Sequence, residues 1–208
     1  MKIVKFVFPP LDNNVYVVFD KGEGVVIDIA LGSEAVASFA KKHNIQILYL
    51  INTHAHIDHT AHNSKLKNLL NVRIALHKND YPLLKEFFRT KYDFIHEELE
   101  FAEPDILFDD GYVFKFGEVE MKVIHTPGHT PGSVCLYVEK EKVLFSGDTL
   151  FANTYGRTDF PYSSEEEMIK SLKKLSMLPG DVKVYPGHYE ETKIGYETWL
   201  KELNISFL

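Results

Sequence analysis

The segment Thr53-His54-Ala55-His56-Ile57-Asp58-His59-Thr60 places three imidazoles and a carboxylate within six consecutive positions. Neutral imidazole nitrogen and carboxylate oxygen are donors that zinc, iron and manganese all accept. Three further residues of these types stand in tight turns: His129 in Thr126-Pro127-Gly128-His129-Thr130, Asp148 in Ser146-Gly147-Asp148-Thr149, and His188 in Tyr185-Pro186-Gly187-His188. A glycine just before each lets the backbone turn sharply and approach closely. The full set of five imidazoles and two carboxylates exceeds what one tetrahedral cation uses. It suits two divalent cations, one held by His54, His56 and His129, the other by Asp58, His59 and His188. Asp148 would bridge them, an arrangement used for metal-assisted hydrolysis. A histidine-rich surface loop is the competing reading of 54–59 alone, and the three additional turns argue against it.

The other candidate groups carry less. His43, His62, His77 and His96 read as helix-end or surface residues, and His125 as packing or solvent contact near the site. Cys135 reads as a buried, inert thiol. Asp28 ends a β-branched run and is either a turn carboxylate or an acceptor that orients a ligand imidazole. Arg157 either pairs with Asp159 or grips a substrate carboxylate. Tyr155 and Tyr189 flank the ligands in sequence and are candidates to line a cleft. Neither a Gly-x-Ser-x-Gly elbow nor a phosphate-binding loop occurs, so serine-hydrolase and P-loop chemistry find no support.

The surrounding pattern must position these turns. Strands are predicted over 2–8, 15–19, 25–29, 46–51, 72–76, 112–116, 118–124, 133–138, 142–145 and 182–185, by alternation or short apolar runs bounded by turn residues. Helices are predicted from Ser33 to about Asn44, from Thr60 to Leu70, and from the capping box Ser164-Glu165-Glu166-Glu167 to Pro179-Gly180. A final helix is expected from Glu190 to about Leu200. Between 79 and 104, Tyr81, Leu83, Leu84, Phe87, Phe88, Tyr92, Phe94 and Ile95 keep roughly helical spacing, which predicts a helical insertion packed on the body, with a cleft-walling lid as the alternative. Strands and helices in two similar halves imply an α/β fold, a four-layer αβ/βα sandwich of two mixed sheets face to face with helices outside. One domain over 1–208 is expected.

The chain has 208 residues, 45% hydrophobic and 25% charged, with a formal net charge of -7. That acidity argues against nucleic acid as a partner. The single cysteine excludes an intramolecular disulfide and agrees with a reducing compartment. No apolar run approaches the roughly 20 residues a bilayer-spanning helix needs, and the first ten residues lack a signal-peptide pattern. A cytoplasmic enzyme is expected, with no membrane association and its oligomeric state, monomer or homo-oligomer, left open.

His54-x-His56-x-Asp58-His59, followed in order by His129, Asp148 and His188, resembles the metallo-β-lactamase superfamily, with all seven metal positions filled as in its glyoxalase II (hydroxyacylglutathione hydrolase) branch. The segments Tyr155-Gly156-Arg157-Thr158-Asp159-Phe160-Pro161 and 187–197 are similar to short bacterial and archaeal members of that branch. The resemblance implies a thioester hydrolase acting on a small acyl thiol such as an acyl-glutathione, with zinc first and iron or manganese as alternatives. Two cations would lower the pKa of water from 15.7 towards ~7, with Asp58 and Asp148 orienting the resulting hydroxide. Longer glyoxalase II enzymes add a C-terminal domain that holds glutathione, and only about twenty residues follow His188 here. In one zinc β-lactamase subclass a cysteine stands where Asp148 is, which disfavours that activity. Persulfide dioxygenases share the Gly-Arg-Thr-Asp-Phe segment and bind one iron at positions matching His54, His129 and Asp148, so a mononuclear sulfur dioxygenase stays open. A phosphodiesterase or lactonase-type activity is the remaining alternative.

Overall fold

The structure is a computed structural model that describes residues 1–93 and 95–203. The first half contains β1 (Lys2–Phe8), β2 (Asn13–Asp20), β3 (Glu23–Ile27), α1 (Ser33–Lys42), β4 (Gln46–Ile51), α2 (Ile57–Thr60), α3 (Asn63–Leu70), β5 (Arg73–His77), α4 (Tyr81–Phe87) and β6 (Ile106–Phe108). The second contains β7 (Val113–Phe116), β8 (Val119–His125), β9 (Val134–Val138), β10 (Val143–Gly147), β11 (Leu150–Phe151), β12 (Thr154–Tyr155), α5 (Glu165–Ser176), β13 (Lys183–Pro186), β14 (Thr192–Lys193) and α6 (Trp199–Glu202).

Two six-stranded mixed sheets form, in the orders β1-β2-β3-β4-β5-β6 and β14-β13-β10-β9-β8-β7. Their facing sides share one core: Tyr16, Ile27, Ile51 and Phe108 of the first sheet meet Phe114, Met121, Leu136 and Phe145 of the second. The outer face of the first sheet carries Val17, Val26, Leu50 and Ile74 against Val36 and Ala40 of α1 and Leu66 of α3. The outer face of the second carries Leu144 and Val184 against Met168, Leu172 and Leu175 of α5. Alternation in the strands and a single apolar stripe in each helix thus produce the α/β/β/α layering.

Strand direction gathers the ligand turns. β3, β4 and β5 pair in parallel, so the chain leaves all three at one edge of the first sheet. In the second sheet β10 is parallel to β13 and antiparallel to β9, and β9 is antiparallel to β8. β8, β10 and β13 therefore also end at a common edge. Asp28 and residues 52–59 follow the first group; His129, Asp148 and His188 follow the second.

Several local expectations are corrected. Among the described residues the 79–104 stretch is α-helical over Tyr81–Phe87, after a 3-10 turn at Lys78–Asp80. Beyond it the chain makes short turns, Thr90 N–H to Phe87 O and Ile95 N–H to Tyr92 O, because its aromatic residues face different partners. Phe88 packs on Phe101 with ring centroids 5.6 Å apart, whereas Phe87 packs on Tyr162 at 5.6 Å. Phe94, named in the predicted stripe, lies outside the described residues. The helix expected over 190–200 is replaced by β14, which pairs with β13, and by α6. Buried Glu197 organises that turn by accepting hydrogen bonds from Asn153 N at 2.7 Å, Thr192 Oγ1 at 2.5 Å and Trp199 Nε1 at 2.8 Å. His62 and His77 each stand at a helix end, at the N-terminal caps of α3 and of the 3-10 turn Lys78–Asp80, but both are buried rather than superficial. His62 bonds Ser33 Oγ and Glu97, and His77 stacks on His125 at 4.1 Å.

Candidate metal centre

Each ligand turn is held by the fold before any ligand is considered. Asp28 follows β3 directly in the left-handed conformation (φ 57°), which a short polar side chain tolerates. Its Oδ1 accepts from Thr53 N at 2.7 Å and its Oδ2 from Thr53 Oγ1 at 2.8 Å. Asp80, fully buried, ties the two halves together: it accepts from Ala55 N at 2.8 Å, Thr130 Oγ1 at 2.7 Å and Gly132 N at 2.6 Å. Burial pushes its carboxyl up to about 6, and the three donors oppose the shift. Gly187 has no room for a side chain, since a Cβ there would collide with Asp148 Oδ1 and His59.

The seven residues predicted as ligands converge. His56 Nδ1 lies 2.9 Å from His54 Nε2 and 2.9 Å from His129 Nε2. Metal–nitrogen bonds of about 2.0–2.1 Å place tetrahedral ligands roughly 3.3 Å apart, close to this spacing. Beside them His188 Nε2 lies 3.3 Å from His59 Nε2 and 3.4 Å from Asp58 Oδ2. Asp148 stands between the groups, with Oδ1 3.5 Å from His59 Nε2 and Oδ2 3.6 Å from His129 Nε2 and 3.5 Å from His188 Nε2. His54, His56 and His129 form one three-donor cluster, Asp58, His59 and His188 another, and Asp148 joins His54 and His59 in a third.

The outer ring nitrogens decide what the inner ones offer. His129 Nδ1 faces Arg157 O at 2.8 Å and His188 Nδ1 faces Leu11 O at 3.1 Å. A carbonyl only accepts, so both rings carry their hydrogen on Nδ1 and present a lone pair from Nε2. His59 Nδ1 faces the Asp28 carboxylate at 2.9 Å, with the same result. Thr53 spends its hydroxyl hydrogen on Asp28, so it accepts from His54 Nδ1 at 3.1 Å. Four inner Nε2 atoms therefore face one buried space and would each offer a lone pair to a cation that displaces the proton there, as metal-ligating histidines with fixed outer partners do. Asp148 Oδ1 is buried and has no hydrogen-bond partner among the described residues. Imidazole nitrogens with fixed outer partners and a buried carboxylate oxygen without one are a set that fits cations.

Charge agrees. Without a cation, burial and the neighbouring His59 hold His54 well below the ordinary imidazole range. Burial, with His129 next, takes His56 down to about 3. Burial opposes charge on His59 too, yet the carboxylates of Asp148, Asp58 and Asp28 lift it to about 10. The Asp58 carboxyl is lowered: burial works against ionisation, but His59 and the hydrogen bonds from His188 and Asn13 prevail.

A cleft of about 650 Å³ opens over this centre. Tyr155, Arg157 and Tyr189 all border it. Arg157 makes its pair with Asp159, Nε to Oδ1 at 2.6 Å and Nη2 to Oδ2 at 2.7 Å. Asp28 proves to be the imidazole acceptor. His125 stacks away from the centre, and Cys135 is buried with its thiol pushed up to about 11 by burial. Three contributors had no sequence signal. Asn13 donates to Asp58 Oδ2 at 3.0 Å, Asp80 pins the two ligand turns, and Tyr162 OH lies 2.8 Å from His56 Nε2. A second cavity of similar volume, bordered by Met1, Asp20 and Tyr137, contains none of the seven.

A model of the metallo-beta-lactamase superfamily matches residues 8–188. The chain belongs to that superfamily. It is a glyoxalase II-like member: a hydroxyacylglutathione hydrolase of Francisella tularensis subsp. novicida is 34% identical over 196 residues, covering 94% of this chain and 67% of the relative. An uncharacterized protein of Aquifex aeolicus is 39% identical over 189 residues, 90% of each chain. Among solved structures, the BLEG-1 B3 metallo-beta-lactamase superposes with a TM-score of 0.83 at 31% identity, covering 95% of this chain and 96% of the other. TTHA1623 in a di-iron-bound form does so with a TM-score of 0.83 at 29% identity, covering 94% and 96%.

Proposed function

We propose that this protein is a one-domain, dinuclear metal-dependent hydrolase of small thioesters, of the hydroxyacylglutathione hydrolase type. The observation that carries the reading is the pair of three-donor groups on either side of Asp148, with the outer nitrogens of His54, His59, His129 and His188 tied off. The name of the Francisella relative supports a thioester. The di-iron form of TTHA1623 supports two cations. Zinc is the first expectation for this chain, and iron or manganese suits the same donors.

Bound here, two cations supply hydroxide at neutral pH and polarise a carbonyl. The chain's own groups do the rest. Asp28, Leu11 O and Arg157 O orient the rings. Asp58, itself held by Asn13, and Asp148 border the cleft and would accept a hydrogen from the attacking water. With His56 presenting Nδ1 inward, its Nε2–H is donated to Tyr162 OH, which leaves the tyrosine hydrogen for a substrate oxygen. Burial pushes Tyr162 up to about 12, so it keeps that hydrogen at neutral pH. A thiolate of pKa near ~8.5 departs without a strong acid, and no dedicated acid is required.

Under a sulfur-dioxygenase reading with one iron at His54, His129 and Asp148, the other four residues, His56, Asp58, His59 and His188, would hold no metal. The BLEG-1 similarity makes β-lactam hydrolysis the second reading, and the ring nitrogen of a lactam leaves far less readily than a thiolate. The test is turnover of a panel of small thioesters, hydroxyacylglutathione and arylacetyl thioesters among them, by metal-loaded protein under nitrogen. Release of free thiol without oxygen supports the proposal; absence of release, or dependence on oxygen, overturns it.

A further inference from the structure

Beside His56 the cleft has an aromatic wall. Phe160 and Tyr162 stack with centroids 5.4 Å apart at 14°, Phe87 meets Tyr162 at 5.6 Å, and Phe87 and Phe160 each lie 5.3 Å from the His56 ring. All three wall residues are half-buried. On the far side Phe151 and Tyr189 pack edge to face at 5.3 Å next to His188. Apolar ring faces turned to an open cleft gain by being covered, and the volume greatly exceeds what an acetyl or lactoyl group fills.

The charge on this lining points the same way. Arg157 is the one Lys or Arg among the described residues that border the cleft. Both arms of its fork hold Asp159, and its guanidinium lies 4.2 Å over the Phe160 ring. The Arg157–Asp159 pair is neutral as a unit, so a carboxylate brought to this wall meets Asp159 together with Arg157. Among the described residues on the lining no unpaired Lys or Arg selects a polyanionic thiol, while the Phe87, Phe160 and Tyr162 rings together offer an apolar surface to a bulky group.

We infer that the cleft selects thioesters carrying an uncharged aromatic or comparably bulky apolar group, seated against Phe87, Phe160 and Tyr162; this rests on the thioester reading above. The deciding assay compares acetyl, lactoyl and phenylacetyl thioesters of N-acetylcysteamine, whose thiol is uncharged, with phenylacetyl-glutathione, all with metal-loaded protein. In parallel, binding of the unreactive phenylethyl thioether of N-acetylcysteamine is measured by calorimetry. The expected result is kcat/KM at least tenfold higher for the phenylacetyl than the acetyl ester of the same thiol. Phenylacetyl-glutathione should be no better than its uncharged counterpart, and Phe160→Ala or Phe87→Ala should remove most of the preference while leaving acetyl turnover measurable. Equal rates for acetyl and phenylacetyl esters, or a clear preference for the glutathione ester, would overturn the inference while leaving thioester hydrolysis intact. Tight thioether binding with no ester cleaved would instead overturn the thioester reading and support the apolar selectivity of the cleft.

Discussion

Asp28→Asn is the most informative single change, because it alters hydrogen positions and almost no shape. In the native arrangement Oδ1 accepts from Thr53 N, and Oδ2 accepts from both Thr53 Oγ1 and His59 Nδ1. An asparagine keeps the backbone bond by placing its carbonyl oxygen towards Thr53 N. Its NH2 group then faces His59 Nδ1, where a donor meets a donor unless the imidazole hydrogen moves to Nε2. That is the atom aimed at the metal centre, so the ring loses the lone pair it would offer. A hydrogen bond to a charged group contributes about 1.5–3 kcal/mol, and removal of such an outer partner weakens metal affinity roughly 10- to 100-fold. The two magnitudes agree, since about 1.4 kcal/mol is tenfold. The assay is competitive metal titration against a chromophoric chelator, with circular dichroism to confirm folding. Loss is expected for one cation of the two, the one at Asp58, His59 and His188. A folded variant that binds both cations with native affinity would refute the tautomer argument.

Other outcomes follow from the same geometry. Tyr162→Phe keeps the aromatic wall but removes the acceptor of His56 Nε2–H; retention of the His54–His56–His129 cation should fall roughly tenfold, visible as faster loss to chelator. His56→Ala or Asp148→Ala should abolish turnover and lower metal stoichiometry together, whereas His43→Ala, at the end of α1, should leave both unchanged. The metal-free protein should lose stability as pH rises. His59 sits near 10 when folded and near ~6.5 when unfolded, so its contribution is full below about 6.5 and disappears as pH passes about 10. A thermal melt series of the apoprotein from pH 6 to 10 measures this, and a flat profile would contradict the placement of charge on His59. Metal uptake has the opposite sign, because cation and proton compete for Nε2, so affinity should weaken as pH falls.

What was legible in the sequence is what chemistry writes locally. The 54–59 packet and the three glycine-flanked turns needed only residue type and spacing, and strand direction then brought all seven donors to one edge. The layering was legible because strands such as β8 alternate and helices such as α5 carry one apolar stripe. Asp28 was half legible, as a carboxylate at a strand end. Asn13, Asp80 and Tyr162 were not, because each acts on a residue at least 25 positions away and each type is ordinary in a turn or loop. The 79–104 stretch misled for a related reason: helical spacing of apolar residues does not reveal that some face the cleft and others a cluster around Leu84, with Phe87 shared between them. The isolated pair β11–β12 and the edge strand β14 are two-residue elements fixed by the tertiary structure, too short for any period to show.

The central claim is that two cations bridged at Asp148 together perform the hydrolysis. It is tested most directly by titrating metal-free protein with Zn²⁺ while following bound metal and thioester turnover in the same samples. The account predicts that binding saturates at two cations per chain and that turnover rises mainly with the second. Saturation at one cation, or full turnover after the first, would contradict it.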